Sequence, residues 1–125
     1  MIGLVLDAGA FIGLEDRKRH VVALLERARA RSIPMVTSAA VVGQVWRGHR
    51  RQAAIALALR WPNLDVVDLT AGHGHVIGRM LATSGTSDVI DAHVALIARD
   101  RGWPAVTSDR TDLARIDPTL VLHEI

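Results

Sequence analysis

The sequence predicts an α/β fold in which helices cover both faces of a parallel sheet. Short apolar runs alternate along the chain with longer segments whose apolar residues recur at helical spacing. No internal repeat and no Pro/Gly/Ser-rich linker interrupts this alternation. Because 125 residues is the usual size of one domain, we expect residues 1–125 to form a single domain.

Five runs are predicted as strands because each is short, apolar and bounded by polar or turn-forming residues. They are residues 2–6, 33–37, 65–69, 105–107 and 120–122. Helical spacing predicts helices over residues 9–14, 17–31, 38–47, 50–60, 70–82, 88–101 and 109–115. Ser38 and Thr70 are expected to cap two of these helices, and Gly48 and Gly102 to end two of them.

The composition and the first residues of the chain indicate the cellular compartment. The chain has no cysteine, which excludes disulfides, thiolate metal sites and a cysteine nucleophile. Its first residues lack the basic region of a signal peptide, and Asp7 interrupts the first apolar run. No uncharged stretch is long enough to span a bilayer. We therefore expect a cytoplasmic protein that does not enter a membrane.

Basic residues are grouped along the first half of the chain. The net charge is +2, and every basic residue except Lys18 is an arginine, which makes forked contacts to phosphate. The groups lie at residues 17–20, 27–31 and 47–51. Solvated helix faces explain them if they are taken alone. Beside an acidic cation site, they favour a nucleic acid partner.

Four aspartates lie where a parallel sheet would gather them. Asp7 ends the first apolar run, Asp109 follows the fourth, and Asp88 and Asp91 open the sixth predicted helix. Ligands of open α/β sheets bind at the carboxyl ends of the strands, so these acids can meet there. Like charges are held together at low cost only by a cation, and hard oxygen ligands suit Mg²⁺ or Mn²⁺. The pattern indicates a metal-dependent enzyme that acts on phosphate.

Helix capping is the simpler explanation for part of this set. Asp7, Asp88 and Asp109 each stand where an N-cap is expected, and Asp112 fits the first turn of a short helix. Asp91 is harder to explain in this way, because its neighbours are mostly apolar and a buried acid needs a partner.

The histidines give weaker signals. His73 and His75 alternate with glycines, but residues two apart do not share a helix face, so a metal site there is not favoured. His93 is expected to be a partly buried helix residue rather than a ligand.

Several short motifs, taken in order, resemble those of PIN-domain ribonucleases, and most closely the toxins of VapBC-type toxin–antitoxin pairs. The motifs are residues 4–12 (LVLDAGAFI), 85–95 (GTSDVIDAHVA) and 106–109 (VTSD). The resemblance covers nearly the whole chain in the order of its elements. It implies a three-layer α/β/α PIN-like domain with a central parallel sheet.

The resemblance also implies an activity and a site. The activity is Mg²⁺- or Mn²⁺-dependent endonucleolytic cleavage of RNA by a metal-activated water. Asp7, Asp91 and Asp109 match the family's metal-site acids, Asp88 resembles an additional acid found in some members, and Asp112 is an outer candidate. The family also implies a homodimer and a cognate antitoxin that covers the active-site groove, to which residues 17–31 and 39–60 are candidate contributors.

One position departs from the family pattern. The family usually has a glutamate in the helix after the second strand, where this chain has Gln44. An amide oxygen can coordinate a cation or hold a water, but it brings no charge and cannot act as a base. Gln44 therefore joins the candidate catalytic residues and also favours a second hypothesis, a catalytically degenerate PIN domain that binds RNA or a protein without cutting.

Two other acid-bearing α/β families fit less well. A receiver domain needs a lysine near its fifth strand, and the only lysine here is Lys18. A haloacid-dehalogenase-like phosphatase needs a second aspartate two residues after Asp7, where Gly9 stands.

Overall fold

The computed structural model describes residues 2–125 and contains one five-stranded parallel sheet. Its strands are β1 (Leu4–Leu6), β2 (Met35–Ser38), β3 (Leu64–Val67), β4 (Ala105–Thr107) and β5 (Leu122–Glu124). The strand order is β3-β2-β1-β4-β5, and all neighbours are parallel. The order reverses at β1, so β1 lies at the topological switch point, where ligands of open α/β sheets bind.

Seven α-helices of the described chain cover the sheet. They are α1 (Ala8–Glu15), α2 (Arg19–Ala30), α3 (Ala39–Val45), α4 (Ala53–Ala58), α5 (Ala71–Ser84), α6 (Val89–Arg101) and α7 (Arg110–Ile116). Helix α1 packs against α2, α3 and α4, while α5, α6 and α7 pack against one another. Right-handed crossovers place these two groups on opposite faces, because the chain moves along the sheet in opposite directions before and after β3. The predicted three-layer α/β/α fold is confirmed.

The core lies between the central strands and the two helix layers. Val5, Leu6, Val36 and Val106 of the central strands are fully buried. Apolar side chains from both helix layers meet them, and the large ones that are fully buried include Phe11, Leu25, Val41, Ile55 and Leu113. No helix within residues 2–125 is both long and apolar enough to cross a membrane.

Two element boundaries differ from the sequence prediction around residue 52. The helix predicted over 50–60 is a 3-10 turn at Arg50–Gln52 followed by α4, and α3 ends before the predicted residue 47. The Gln52 side chain is buried and explains both changes. Its Nε2 donates to the carbonyl of Val45 at 2.7 Å, and its Oε1 accepts from the backbone N–H of Arg47 at 2.7 Å. The amide thus satisfies backbone groups that a longer helix would have used.

The last strand also begins later than predicted. Asp117 accepts hydrogen bonds from the backbone N–H and the hydroxyl of Thr119 at 2.9 and 2.6 Å. Leu120, the first residue of the predicted strand, belongs to this turn, because its N–H donates to the carbonyl of Asp117 at 3.3 Å. The strand pairing begins at Leu122, which is opposite Ala105. The predicted caps Ser38 and Thr70 are confirmed, and Gly102 ends α6 in the left-handed conformation.

Candidate active site

Asp7 is held in place by two hydrogen bonds at the carboxyl end of β1. It caps α1, where its Oδ1 accepts from the N–H of Ala8 at 2.7 Å. Its Oδ2 accepts from the hydroxyl of Thr107 at 2.8 Å. The residue is only 5% exposed, and burial raises the pKa of its carboxyl, while these hydrogen bonds act in the opposite direction. Asp7 therefore has a fixed orientation, although it is a costly group to bury.

Thr107 joins the ends of β1 and β4. Its buried hydroxyl donates to Asp7 and also accepts from the backbone N–H of Asp109 at 2.9 Å. The close approach depends on Gly9, because a Cβ there would lie 2.3 Å from the Ser108 hydroxyl oxygen. A glycine in the first turn of α1 is therefore what allows the chain after β4 to come close to Asp7.

Asp88 and Asp91 occupy the start of α6. Asp88 is exposed and caps the helix, with its Oδ1 accepting from the N–H of Asp91 at 2.9 Å. Asp91 is half-buried, and desolvation raises its pKa to about 7, with further contributions from the charges of Asp88 and Asp7. Two acids that begin far apart in sequence, Asp7 and Asp91, thus repel each other across the top of the sheet.

Asp109 and Asp112 add two more carboxyl groups from the start of α7. Asp109 is exposed and caps this helix, accepting from the N–H of Asp112 at 3.4 Å. A side-chain hydrogen bond to Asp109, followed by the charge of Asp109, raises the pKa of Asp112. Both residues also raise the pKa of Asp91. The structure therefore brings all five predicted acids to one edge, and three of them are also helix caps.

A cavity of about 280 Å³, the acid cavity, opens between α6 and α7. The loop at residues 85–87 lines it together with Asp88, Asp91, Asp112 and Arg115. Arg115 supplies a positive charge in this otherwise acidic wall, and its charge lowers the pKa of Asp112. Thr107 belongs to the motif at 106–109, but the sequence analysis assigned no role to it or to Arg115, because the contacts of both depend on the fold.

Gln44 does not line the acid cavity. It lies near the end of α3 and is exposed. Its helix begins at Ala39, directly after β2, and β2 pairs with the strand that precedes Asp7. Helix α3 therefore starts at the same edge of the sheet as the acids, and Gln44 lies in its last turn, in the helix layer opposite α6.

The donor chemistry at this edge fits a hard divalent cation. The side chains offer carboxylate oxygens, and their mutual repulsion is not offset by an equal number of cations. No three acidic or histidine side chains in residues 2–125 lie close enough together to form a complete ligand set. Magnesium needs only one or two protein carboxylates, because water and substrate phosphate fill its other positions. The residues fit such an ion when substrate shares in its coordination.

A buried pair next to the acids escaped the sequence analysis. Ser38 Oγ and His93 Nδ1 lie 2.6 Å apart, and His93 is wholly buried rather than partly buried as expected. Burial lowers the pKa of His93, with a smaller contribution from the charge of His73, whose ring lies 5.0 Å away. His73 itself completes the capping box of α5, which gives it a structural role.

Comparison with known proteins identifies the family. The PIN domain model matches residues 4–117. A chain from the crystal structure of DNA-bound VapBC from Salmonella typhimurium has a TM-score of 0.71 at 21% identity, covering 99% of this chain and 98% of that one. Mycobacterium tuberculosis VapC20, described as a sarcin–ricin loop cleaving toxin, has a TM-score of 0.65 at 21% identity, covering 82% and 87%.

A third similar structure is FitAB bound to the IR36 DNA fragment, with a TM-score of 0.66 at 14% identity and coverage of 97% and 94%. No curated protein sequence matches the chain. At these identities the solved structures show a shared fold, whereas the family model spans most of the chain and includes all five acids. The chain belongs to the PIN domain family.

Proposed function

We propose that this chain is a Mg²⁺- or Mn²⁺-dependent endoribonuclease and the toxin of a type II toxin–antitoxin pair. The observation that carries the proposal is the convergence of Asp7, Asp91 and Asp109 from three separate segments at the switch point of the sheet. Helix capping explains the positions of Asp7 and Asp109 when each residue is considered alone. It does not account for the half-buried Asp91, whose pKa is raised by all of the others.

Asp7, Asp88, Asp91 and Asp109 are the residues that would hold one or two cations, directly or through water. When bound, the metal would supply positive charge to the phosphoryl oxygens and lower the pKa of the attacking water. Metal ligation requires ionised carboxylates. Burial and the neighbouring acids raise the pKa values of Asp7 and Asp91, and the positive charge of a bound cation would lower them again.

The protein's own contribution is positioning. Thr107 and the N–H of Ala8 each hold one oxygen of Asp7, so that this carboxylate needs no reorganisation during the reaction. Arg115 lies on the wall of the acid cavity, where a guanidinium can contact a substrate phosphate that the aspartates would otherwise repel. Together these groups orient a phosphodiester over the carboxyl ends of β1 and β4.

The proposed partners are a cognate antitoxin, a second copy of this chain and an RNA substrate. The similar structures include VapBC complexes, which supports an antitoxin. An acidic, concave site also suits a basic segment of an inhibitor. Co-expression with the protein encoded next to this chain, followed by size-exclusion chromatography with light scattering, tests both assemblies.

Gln44 supports a second candidate, a degenerate PIN domain that binds RNA without cutting it. The exposed amide lacks the charge that the family's glutamate would add at this edge. The retained aspartates argue for the enzyme, because a surface that only binds RNA gains nothing from a cluster of negative charges.

Cleavage of a labelled panel of structured RNAs decides between the two candidates. Wild type, Asp7→Asn and the matched control Asp65→Asn, which removes an exposed acid of β3, are compared in Mg²⁺, Mn²⁺ and EDTA. We expect metal-dependent cleavage by wild type and by the control, and none by Asp7→Asn. Cleavage that persists in EDTA or in Asp7→Asn contradicts the proposal, and RNA binding without cleavage under any ion favours the degenerate domain.

A further inference from the structure

A second cavity, which we call the arginine cavity, lies beside the acid cavity in the layer formed by α5, α6 and α7. It has a volume of about 470 Å³. Val76, Met80 and Ile116 give it apolar lining, and Arg79 and Arg99 are the cations that line it. An apolar floor with cationic walls suits an unpaired nucleotide, because the base can pack on the apolar side chains while the phosphate contacts the guanidinium groups.

The two cavities adjoin each other. Ile116 lines both of them, and the preceding residue, Arg115, lines the acid cavity. From Asp91 to Arg99 the helix α6 advances about 12 Å, at 1.5 Å per residue. A strand of RNA whose phosphate lies over the acids can therefore continue into the arginine cavity without leaving the surface.

The cations of the arginine cavity are not neutralised by the protein. Within residues 2–125, the side-chain ion pair with a separation below 4 Å is that of Arg29 with Glu26, at 2.9 Å. Arg79 and Arg99 therefore have no carboxylate partner within that distance. The acid that lines the cavity, Asp117, uses Oδ1 to accept from Thr119. Two unpaired guanidinium groups that line one concave surface are suited to an anion.

We propose that the arginine cavity binds an unpaired nucleotide of the RNA next to the cleaved bond. Its base packs on Val76, Met80 and Ile116, and its phosphate contacts Arg79 and Arg99. This inference rests on the proposed ribonuclease function and assigns a substrate subsite to it. The cavity should prefer single-stranded RNA, because bases inside a duplex are stacked on each other and cannot enter it.

The chain offers a control cation on the same helix as Arg99. Arg101 is exposed in the last turn of α6, and its guanidinium lies over the Trp103 ring at 5.0 Å from the ring centroid. It lines neither the arginine cavity nor the acid cavity. Replacing Arg101 with glutamine removes the same charge as Arg99→Gln, but outside both cavities.

The test measures binding in EDTA, where no metal-dependent cleavage occurs. Fluorescence anisotropy of a short labelled single-stranded RNA, and of the same RNA as a duplex, is followed as salt is raised. For Arg79→Gln/Arg99→Gln we expect single-strand binding weaker by about tenfold, with a salt slope less steep by about 1.4, the value for two lost phosphate contacts. Single-strand binding by Arg101→Gln, and duplex binding by every variant, are expected to change little.

A third variant, Met80→Ala, separates base contacts from phosphate contacts. Single-strand binding is expected to weaken severalfold while the salt slope stays the same, since no charge is removed. Thermal unfolding of every variant confirms that it is folded.

Three outcomes overturn the inference. One is unchanged single-strand binding in the Arg79/Arg99 variant, and another is a loss in Arg101→Gln equal to that in Arg99→Gln. The third is displacement of RNA from the cavity by polyglutamate as readily as by competitor RNA, which would indicate an acidic protein partner. Cleavage by wild type is scored separately, so loss of the subsite and loss of the ribonuclease function are distinguishable.

Discussion

Polar side chains at the two edges of the parallel sheet have opposite environments, hydrogen-bonded at one edge and electrostatically repelled at the other. At the amino edge, the Asn63 side chain donates from Nδ2 to the backbone carbonyls of Ile33 at 2.7 Å and Ala28 at 3.3 Å. The backbone carbonyl of Asn63 accepts from the N–H of Met35 at 2.7 Å. At the carboxyl edge, Asp91 meets like charges, and its pKa is raised to about 7.

The difference teaches where stability and function reside in this fold. The amino edge satisfies its polar groups internally, so it contributes to the free energy of folding. The carboxyl edge holds groups that destabilise the folded state until a partner of opposite charge arrives, which is common at functional sites. Changes at the first edge should therefore alter stability, and changes at the second should alter activity.

Removing a carboxylate from the functional edge should have the largest effect. Asp91→Asn keeps the size of the side chain but removes a ligand charge, and we expect RNA cleavage to fall by about 10²–10³-fold. Stability should stay the same or rise, because repulsion is relieved. Asp100→Asn, an exposed acid at the other end of α6, is the control. Equal rates for Asp91→Asn and Asp100→Asn would contradict the comparison.

The reverse experiment removes the Asn63 amide at the amino edge. Asn63→Ala leaves the part-buried carbonyls of Ile33 and Ala28 without this donor, and we expect a loss of about 1–2 kcal/mol in the free energy of unfolding. Urea denaturation measures this loss. Activity per folded molecule should not change, and a catalytic defect would show that the two edges are coupled.

The pH dependence of stability tests the charge repulsion directly. The pKa of Asp91 is raised from 3.8 to about 7, so the folded state binds more protons than the unfolded state between these values. Stability should therefore fall as pH rises from about 4 to about 7, by about 1–2 kcal/mol after allowance for solvent screening. Asp7 acts in the same direction.

Denaturation of wild type and Asp91→Asn across this pH range measures the effect. The variant should give a flatter profile. Mg²⁺ should restore the stability of wild type at the higher pH, because it binds the ionised carboxylates. A wild-type profile that rises with pH in the absence of metal would show that the acids are not repelling one another.

Gln44→Glu is expected to have the smallest effect. It adds a carboxylate on α3, which starts at the functional edge in the opposite helix layer, and we expect Mg²⁺ to bind severalfold more tightly, an effect of about 1 kcal/mol. Calorimetric titration with Mg²⁺ measures it, and Gln52→Glu is unsuitable as a control because Gln52 is buried. Unchanged affinity would place Gln44 outside the metal site.

Much of the fold was predictable, because the strands are short apolar runs and the caps are standard residues. Ser38, Thr70 and Gly102 act as local signals that need no tertiary context. The misplaced boundaries arise where distant groups compete with local preference. Gln52 turns inward to satisfy Val45 and Arg47, which no local pattern indicates.

The candidate site was predictable only in part for a related reason. The position of a residue at the end of a strand indicates that its side chain can reach the carboxyl edge, which identified Asp7 and Asp109. The partner of a side chain across the sheet depends on strand order. The hydrogen bond from Thr107 to Asp7, and the one between Ser38 and His93, both join segments far apart in sequence.

The pairing of β1 with β4 also determines when the acidic edge can form during synthesis of the chain. Asp7 is made before Thr107, which holds its Oδ2 and lies 100 residues later. At typical translation rates of about 5–20 residues per second, this interval lasts roughly 5–20 s. Until β4 emerges and inserts beside β1, the growing chain has no complete acidic edge. The proposed active site is therefore completed only after the whole segment from β1 to β4 has been made.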